Sequence, residues 1–197
     1  MNERHLELCS SAEWADAVRR WIIPWVLEGV SLGDDVLEIG PGPGRTTEVL
    51  ADLSSRLTAV EVDGELARSL AARMTSTNVE VIQGDATDLH FADGRFSAAL
   101  SFTMLHHVPS AVDQDRLLSE VSRVLRPGGV FAGTDSLDSK EFRELHLGDV
   151  CVPIDPATLV DRLLSTGFDE AFVDTNDYGC LLYTSLTCTA GSITSIG

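Results

Sequence analysis

From residue 35 onward, short apolar runs rich in β-branched residues alternate with stretches of helical periodicity. Five of these runs are predicted to be strands, at 35–39, 57–62, 79–83, 96–102 and 129–135. They are almost continuously apolar, which is typical of strands that helices cover on both faces of a parallel sheet. A later helix at 156–167 precedes a sixth strand at 168–175. The alternation predicts an α/β, doubly wound domain with ligand-binding loops at the carboxyl ends of its strands.

Residues 10–29 carry an amphipathic pattern that predicts a helix ahead of the sheet. Ser10 and Glu13 have the spacing of a capping box, and Pro24 should kink the helix or end its first piece. The apolar face is formed by Trp14, Val18, Trp21, Ile22 and Trp25. Two interpretations stay open, since the helix either packs on the core as an ordinary element or covers a pocket as a lid.

The end of the chain differs from the rest, because residues 179–197 contain no charged side chain. The stretch CLLYTS at 180–185 resembles the translation of a transposase end adapter used in sequencing libraries. Our hypothesis is that the native reading frame stops near Gly179 and that the final strand is defective. The alternative is a real last strand, since LLYTSLTC has high β propensity. The sequence is therefore divided into a helical cap (1–30), a main domain (31–179) and an atypical, non-native tail (180–197).

The formal net charge is −17, from 31 acidic and 14 basic side chains, and no basic cluster is present. A field of this sign repels phosphate backbones and disfavours a nucleic-acid partner. No apolar run approaches the length of a membrane span and the first residues lack a signal-peptide core, so we expect a cytoplasmic protein that does not bind membranes. The four cysteines show no metal-site spacing and no disulfide framework, and no metal is expected.

A glycine turn, VLEIGPGPG at 36–44, follows the first predicted strand. Dinucleotide-binding turns need a third glycine at position 45, which is Arg45 here. Pro41 and Pro43 lack the N–H groups that would bind a pyrophosphate. The turn therefore indicates a cofactor that approaches the backbone closely and carries no phosphate. S-adenosylmethionine meets this description, and Glu38 would place a carboxylate near its ammonium group.

Four motifs follow one another in the order VLEIGPGPG, AVEVD, VIQGDATDLHFADGRFSAAL and LRPGGVF. With these motifs, residues 30–175 resemble the class I S-adenosylmethionine-dependent methyltransferases, in particular those that act on small molecules. The resemblance implies a Rossmann-like, mostly parallel seven-stranded sheet with an N-terminal helical cap. It also implies S-adenosyl-L-methionine as cofactor, a small-molecule acceptor and direct methyl transfer.

The resemblance also implies roles for individual residues. Glu61 would accept the ribose hydroxyls, Asp85 the exocyclic N–H of adenine, and the amide of Ala86 would face a ring nitrogen. Asp63 is better explained as a helix N-cap. The residues predicted to bind the cofactor are Glu38, Gly40, Pro41, Gly42, Gly44, Thr46, Glu61, Val62, Asp85, Ala86, Ser101 and Phe102.

The loop SFTMLHHVPS after the fourth strand faces the methyl group in this family. It offers His106 and His107 as candidates for a general base, with His106 preferred because it leaves the strand first. The alternative is that both histidines only shape the pocket. Substrate recognition should come from the N-terminal helix and from residues 136–154. Trp14, Trp21, Phe142 and His146 could line the pocket there, with ordinary core packing as the alternative.

Other functions remain as alternatives. A non-catalytic cofactor-binding or interaction protein would keep the same sheet. An NAD-dependent oxidoreductase is disfavoured by Pro41, Pro43 and Arg45. The motif AVEVD is shared with ribosomal RNA methyltransferases, but the basic surface that such a substrate needs is absent. Methylation of amide or adenine nitrogens is disfavoured because no Asn/Asp-Pro-Pro-aromatic segment follows the fourth strand.

Overall fold

The structure is a computed structural model that describes residues 1–75, 77–176 and 180–187. Its helices are α1 (Glu3–Ser10), α2 (Ala12–Ala17), α3 (Ile23–Val26), α4 (Arg45–Leu53), α5 (Gly64–Arg73), α6 (Ala111–Val124), α7 (Lys140–Leu145) and α8 (Pro156–Ser165). Its strands are β1 (Val36–Ile39), β2 (Leu57–Glu61), β3 (Val79–Gln83), β4 (Phe96–Phe102), β5 (Leu125–Ser136), β6 (Glu170–Thr175) and β7 (Cys180–Leu186).

The strands form one sheet in the order β3-β2-β1-β4-β5-β7-β6. Strands β1 to β5 run parallel, whereas β7 is antiparallel to both β5 and β6. Neighbouring residues of β1 point to opposite faces, with Val36 in one hydrophobic core and Leu37 in the other. The prediction of an α/β, Rossmann-like domain with a parallel sheet is confirmed.

The carboxyl ends of β1, β2 and β4 meet at one edge of the sheet. Ile39, the last residue of β1, pairs with Val60 on one side and with Ser101 on the other. The loops that follow these strands therefore leave the sheet side by side. This is the position at which open α/β sheets bind ligands.

The N-terminal helix differs in detail from its prediction. Ser11, not Ser10, caps α2, because the Ser11 hydroxyl accepts the N–H of Trp14 at 3.0 Å. A π-helical turn at Val18–Ile22 joins α2 to α3, and Pro24 lies in the first turn of α3. Proline lacks an N–H and is tolerated there without a break in the chain direction. Helix α1 was not predicted at all.

Strand β5 begins at Leu125, earlier than the predicted start at 129. The pairing register shifts between Phe96, opposite Leu125, and Ala98, opposite Val130. Residues 126–129 are therefore an irregular part of the strand.

Strand β7 lies within the segment predicted to be a non-native tail. It fills the position between β5 and β6, and the side chain of Tyr183 is fully buried. The hydroxyl of Thr187 donates a hydrogen bond to the carbonyl of Arg126 at 2.6 Å. Residues 188–197 lie outside the described part of the chain. The origin of the tail stays a prediction.

In the three described ranges of the chain, every helix is too short or too polar to cross a membrane.

Candidate functional site

A cavity of about 700 Å³ opens at the carboxyl edge of the sheet. The loops after β1, β2, β3 and β4 form its walls, and the N-terminal helices cover one side. Nine of the residues predicted to bind the cofactor line it, namely Gly40, Pro41, Gly42, Thr46, Glu61, Val62, Asp85, Ala86 and Phe102. Its volume is in the range of pockets that enclose a small ligand.

Every backbone N–H of the glycine loop is engaged inside the protein. The N–H of Gly40 donates to the carbonyl of Val60, and the N–H of Gly44 donates to the carbonyl of Pro41, both at 2.9 Å. The N–H of Gly42 donates to a carboxylate oxygen of Glu61, also at 2.9 Å. Pro41 and Pro43 have no N–H to offer. Residues 40–44 therefore leave no backbone donor for a pyrophosphate.

Glu61 joins the glycine loop to the start of α5. One carboxylate oxygen accepts the N–H of Gly42, and the other accepts the N–H of Asp63 at 2.9 Å. The side chain is buried, yet it forms part of the cavity wall. Two backbone bonds fix the carboxylate in one orientation, and its remaining lone pairs can accept hydroxyl groups of a ligand. Asp63 caps α5 by accepting two backbone N–H groups, as predicted.

Asp85 lies in the wall at the end of β3, close to Ala86. One of its carboxylate oxygens accepts the backbone N–H and the hydroxyl of Thr87, each at 2.8 Å. These two hydrogen bonds stabilise the turn that follows β3. Asp85 and Ala86, both predicted to bind the cofactor, line the cavity.

Glu38 does not reach the cavity wall, although it was predicted to bind the cofactor directly. It is only 1% exposed. The hydroxyl of Thr46, which does line the cavity, donates to one of its carboxylate oxygens. The second oxygen has no hydrogen-bond partner. Burial raises the pKa of Glu38 to about 7 against the opposing effect of the Thr46 hydroxyl. Glu38 thus acts behind the wall, where it orients Thr46.

Three further predicted residues lie outside the wall. Gly44 caps α4 with φ +85° and packs against Leu70 of α5. Ser101 is fully buried. His106 is 1% exposed, and its Nδ1–H donates to Asp135 at 2.5 Å while its Nε2 lies 3.0 Å from Nε2 of His146. The structure brings His107, and not His106, to the cavity. A general-base role for His106 stays an untested prediction.

Several wall residues after β4 were not predicted individually, and two of them, Thr103 and Met104, form the contact with the glycine loop. Thr103 has φ +50°, a left-handed conformation that a non-glycine residue seldom adopts, and its N–H donates to the carbonyl of Thr134 at 2.8 Å. This bend turns Met104 against Gly40, so that the two loops touch. The sequence signal for Thr103 is weak, because a threonine at a strand end is ordinary.

The predicted helix at 10–29 packs on the core through Val18, Ile23 and Val26, and together with α1 it covers one side of the cavity. Met1, His5, Cys9 and Trp14 line it, whereas Trp21 is 72% exposed and points away. From the segment 136–154, Asp149 and Val150 contribute to the wall. Phe142 and His146 are buried beside His106 instead of lining the cavity.

Comparisons with known proteins agree with this geometry. A family model described as a methyltransferase domain matches residues 37–133. A fatty-acid O-methyltransferase from Mycolicibacterium smegmatis is 37% identical over 106 residues, which cover 53% of this chain and 38% of that protein. A probable ribosomal RNA small subunit methyltransferase from Methanothermobacter thermautotrophicus is 37% identical over 93 residues, which cover 42% of this chain and 34% of that protein.

Solved structures share the fold. A protein from Pyrococcus horikoshii superposes with a TM-score of 0.76 at 19% identity, covering 91% of this chain and 93% of that one. The chain spans less than half the length of curated relatives such as these two methyltransferases.

Proposed function

The chain belongs to the class I S-adenosylmethionine-dependent methyltransferases, and on this premise we propose that it transfers a methyl group directly to a small-molecule acceptor. The observation that carries the proposal is the glycine loop, in which no N–H of residues 40–44 is left for a phosphate while a fixed carboxylate, Glu61, faces the cavity.

The residues at the cavity fit S-adenosyl-L-methionine, the cofactor of this family. It is cationic at its sulfonium, and the wall includes the carboxylates of Glu61, Asp63 and Asp85. Glu61 would accept the ribose hydroxyls, Asp85 and Ala86 would bind the adenine, and the glycine loop would border the amino-acid end. When bound, the cofactor supplies a methyl group that is already activated by its positive sulfur.

The protein's own contribution is to orient the reactants and to exclude water. Two kinds of hydrogen bond fix the polar side of the wall in the absence of a ligand. One joins Thr46 to Glu38, and the others are donated by two backbone N–H groups to Glu61. Trp14 and the side chains of α1 close the cavity from the N-terminal side. A rigid wall and a covered opening are what a displacement reaction needs when no bond to the protein is formed.

Three features support a small and partly apolar acceptor. The cavity is bounded by the cap, and its wall includes Trp14, Val108 and Leu117. The net charge of −17 disfavours nucleic acid as acceptor, even though one relative is named for ribosomal RNA. A partly apolar cavity that helices cover on one side suits a small molecule better than a segment of folded RNA or protein.

Calorimetric titration with S-adenosylhomocysteine and, separately, with NAD tests this proposal. We expect saturable binding of S-adenosylhomocysteine alone. Glu61→Gln should weaken it about 10- to 100-fold, because hydrogen bonds to a charged acceptor are lost. Glu65→Gln, an exposed neighbour in the first turn of α5, is the matched control and should bind like the wild type. Binding of NAD in place of S-adenosylhomocysteine would contradict the proposal, and a subsequent screen of radiolabelled methyl transfer would identify the acceptor.

Gly40→Ala should weaken the binding of S-adenosylhomocysteine about tenfold or more. Gly40 has φ +64°, and a Cβ at this position would lie 2.1 Å from Cγ of Met104 in the cavity wall. The loop must therefore shift as well as bear left-handed strain of about 1–3 kcal/mol. Gly29→Ala is the control, because Gly29 has φ +73° with no atom within 4 Å of the added Cβ. Equal affinities of the two variants would show that the contact with Met104 is irrelevant to binding.

A further inference from the structure

Four histidines converge beside the cavity. His5 comes from α1, His106 and His107 from the loop after β4, and His146 from the end of α7. One ring nitrogen of each lies within 4.8 Å of a ring nitrogen of every other. We call these four residues the histidine cluster. The chain has five histidines in all, so the cluster leaves only His90 outside it.

The contact between His106 and His146 lacks a proton when both rings are neutral. The Nδ1–H of His106 donates to the carboxylate of Asp135 at 2.5 Å. The Nδ1–H of His146 donates to the carbonyl of Phe142 at 2.7 Å. The carboxylate and the carbonyl carry no proton to donate, so Nδ1 of each ring must hold the proton and Nε2 of each neutral ring presents a lone pair. The two Nε2 atoms face each other at 3.0 Å. A cation bound by both nitrogens would resolve this conflict.

The other two histidines also present ring nitrogens without partners. Nδ1 of His5 and Nε2 of His107 are buried and make no hydrogen bond. An unsatisfied buried polar atom is destabilising, and it is uncommon in native proteins. Each of these nitrogens can present its lone pair to a metal ion without breaking an existing hydrogen bond.

We propose that the histidine cluster binds one divalent transition-metal ion of the zinc class through four ring nitrogens. Imidazole ligands suit Zn²⁺ and its neighbours, whereas Mg²⁺ and Ca²⁺ prefer oxygen. A tetrahedral site with Zn–N bonds of about 2.0–2.1 Å requires ligand nitrogens about 3.3 Å apart. Two nitrogens of the cluster already have nearly this spacing, and the others need only a modest inward movement.

The groups around the cluster are those that usually support such a site. The carboxylate of Asp135 accepts from His106 and from the backbone N–H of Ser136, which holds the ring in one orientation. A carboxylate that orients a ligating histidine in this way also raises its basicity. The carbonyl of Phe142 does the same for His146. The cluster is shielded from water on the side of His106 and His146, because these residues and Asp135 are at most 3% exposed.

Four protein ligands leave no open coordination position, so the ion would be structural. It would fasten α1 and the end of α7 to the loop after β4. The cap over the cavity would then be held by metal ligation in addition to side-chain packing. This inference goes beyond the proposed function, because metal binding needs neither the cofactor nor the acceptor. The metal site and the proposed methyl transfer can therefore be refuted independently.

Metal titration of the full chain tests the proposal. The protein is purified without a histidine tag, stripped with a chelator, and titrated with Zn²⁺ in competition with a chromophoric chelator. We expect one Zn²⁺ per chain, a rise in the melting temperature, and no response to Mg²⁺. Substitution by Co²⁺ should give the visible absorption of a four-coordinate nitrogen site. His146→Gln and His5→Gln should each weaken binding at least about 100-fold.

His90→Gln is the matched control, since His90 is exposed and outside the cluster, and it should bind Zn²⁺ like the wild type. Circular dichroism checks that each variant folds. If His146→Gln does not fold, His5→Gln still tests the proposal, because His5 lies on the terminal helix α1. A folded wild-type chain that takes up no stoichiometric Zn²⁺ would overturn the proposal, and a shared proton would then occupy the His106–His146 contact. Equal affinities of His5→Gln and His90→Gln would overturn it as well.

Discussion

Replacing Tyr183 by alanine is expected to lower the free energy of unfolding by about 3–5 kcal/mol. Tyr183 is fully buried in β7, and its ring lies against Phe131 with 5.1 Å between ring centroids. Its hydroxyl donates to the carbonyl of Ser101 at 3.3 Å. Removal of the ring would leave a cavity against the sheet and would remove this hydrogen bond. Urea denaturation at pH 7 measures the difference.

Phe172→Ala is the matched control for Tyr183→Ala. Phe172 lies on the neighbouring strand β6 and is 57% exposed, so its loss should change stability by less than about 1 kcal/mol. If the two variants were equally stable, β7 would not form part of the core. That outcome would favour the hypothesis that the segment is foreign to the fold. The expected outcome would show that residues 180–187 are structurally required, whatever their origin.

Glu38→Gln is expected to stabilise the protein at pH 8 and to have much less effect at pH 5.5. The ordinary pKa of this carboxyl is 4.5, and burial raises it to about 7 in the folded protein. As the pH rises from 4.5 to 7, the unfolded chain releases this proton first, so the folded state becomes less stable. Glutamine resembles the protonated form and carries no such penalty. The stability difference between variant and wild type should therefore grow by about 2 kcal/mol between pH 5.5 and pH 8.

Denaturation of both proteins at the two pH values gives this difference, and the subtraction cancels the contributions of all other carboxylates. Glu48→Gln is the control, because Glu48 lies on the same helix as Thr46 and is only half-buried. Glu61 is the charged group that faces Glu38, and its repulsion adds to the effect of burial. Parallel stability curves for wild type and Glu38→Gln would show that Glu38 stays ionised and that its burial is compensated in some other way.

The cavity wall at the ends of β2 and β3 was predictable because its residues lie in continuous motifs at strand ends. Glu61 follows β2 and Asp85 follows β3, so the topology alone brings them to one edge of the sheet. The prolines of the glycine turn predicted a loop that lacks two N–H donors, and the structure shows that the three remaining N–H groups are engaged inside the protein. Burial of Glu38 was not predictable, since its position at a strand end does not reveal its hydrogen bond with Thr46.

The histidine cluster could not be predicted, because its members come from three segments that are far apart in the sequence. His5 had no motif around it, and helix α1 was missed. His106 was interpreted through its neighbours in the loop, which gave no indication of Asp135 or His146. Only tertiary packing of the cap and of α7 against the loop after β4 brings the four rings together. Local pattern carries no information about such contacts.

The placement of β7 also sets the order in which the sheet can be completed during synthesis. Among the described strands, β6 pairs with β7 alone, and β7 is the strand that joins it to β5. A nascent chain that has reached residue 175 therefore exposes the edge of β5 and holds β6 without a strand neighbour. An open edge of this kind can pair with another chain. Until residue 186 has left the ribosome, this edge of β5 has no β7 to pair with and stays open to such a contact.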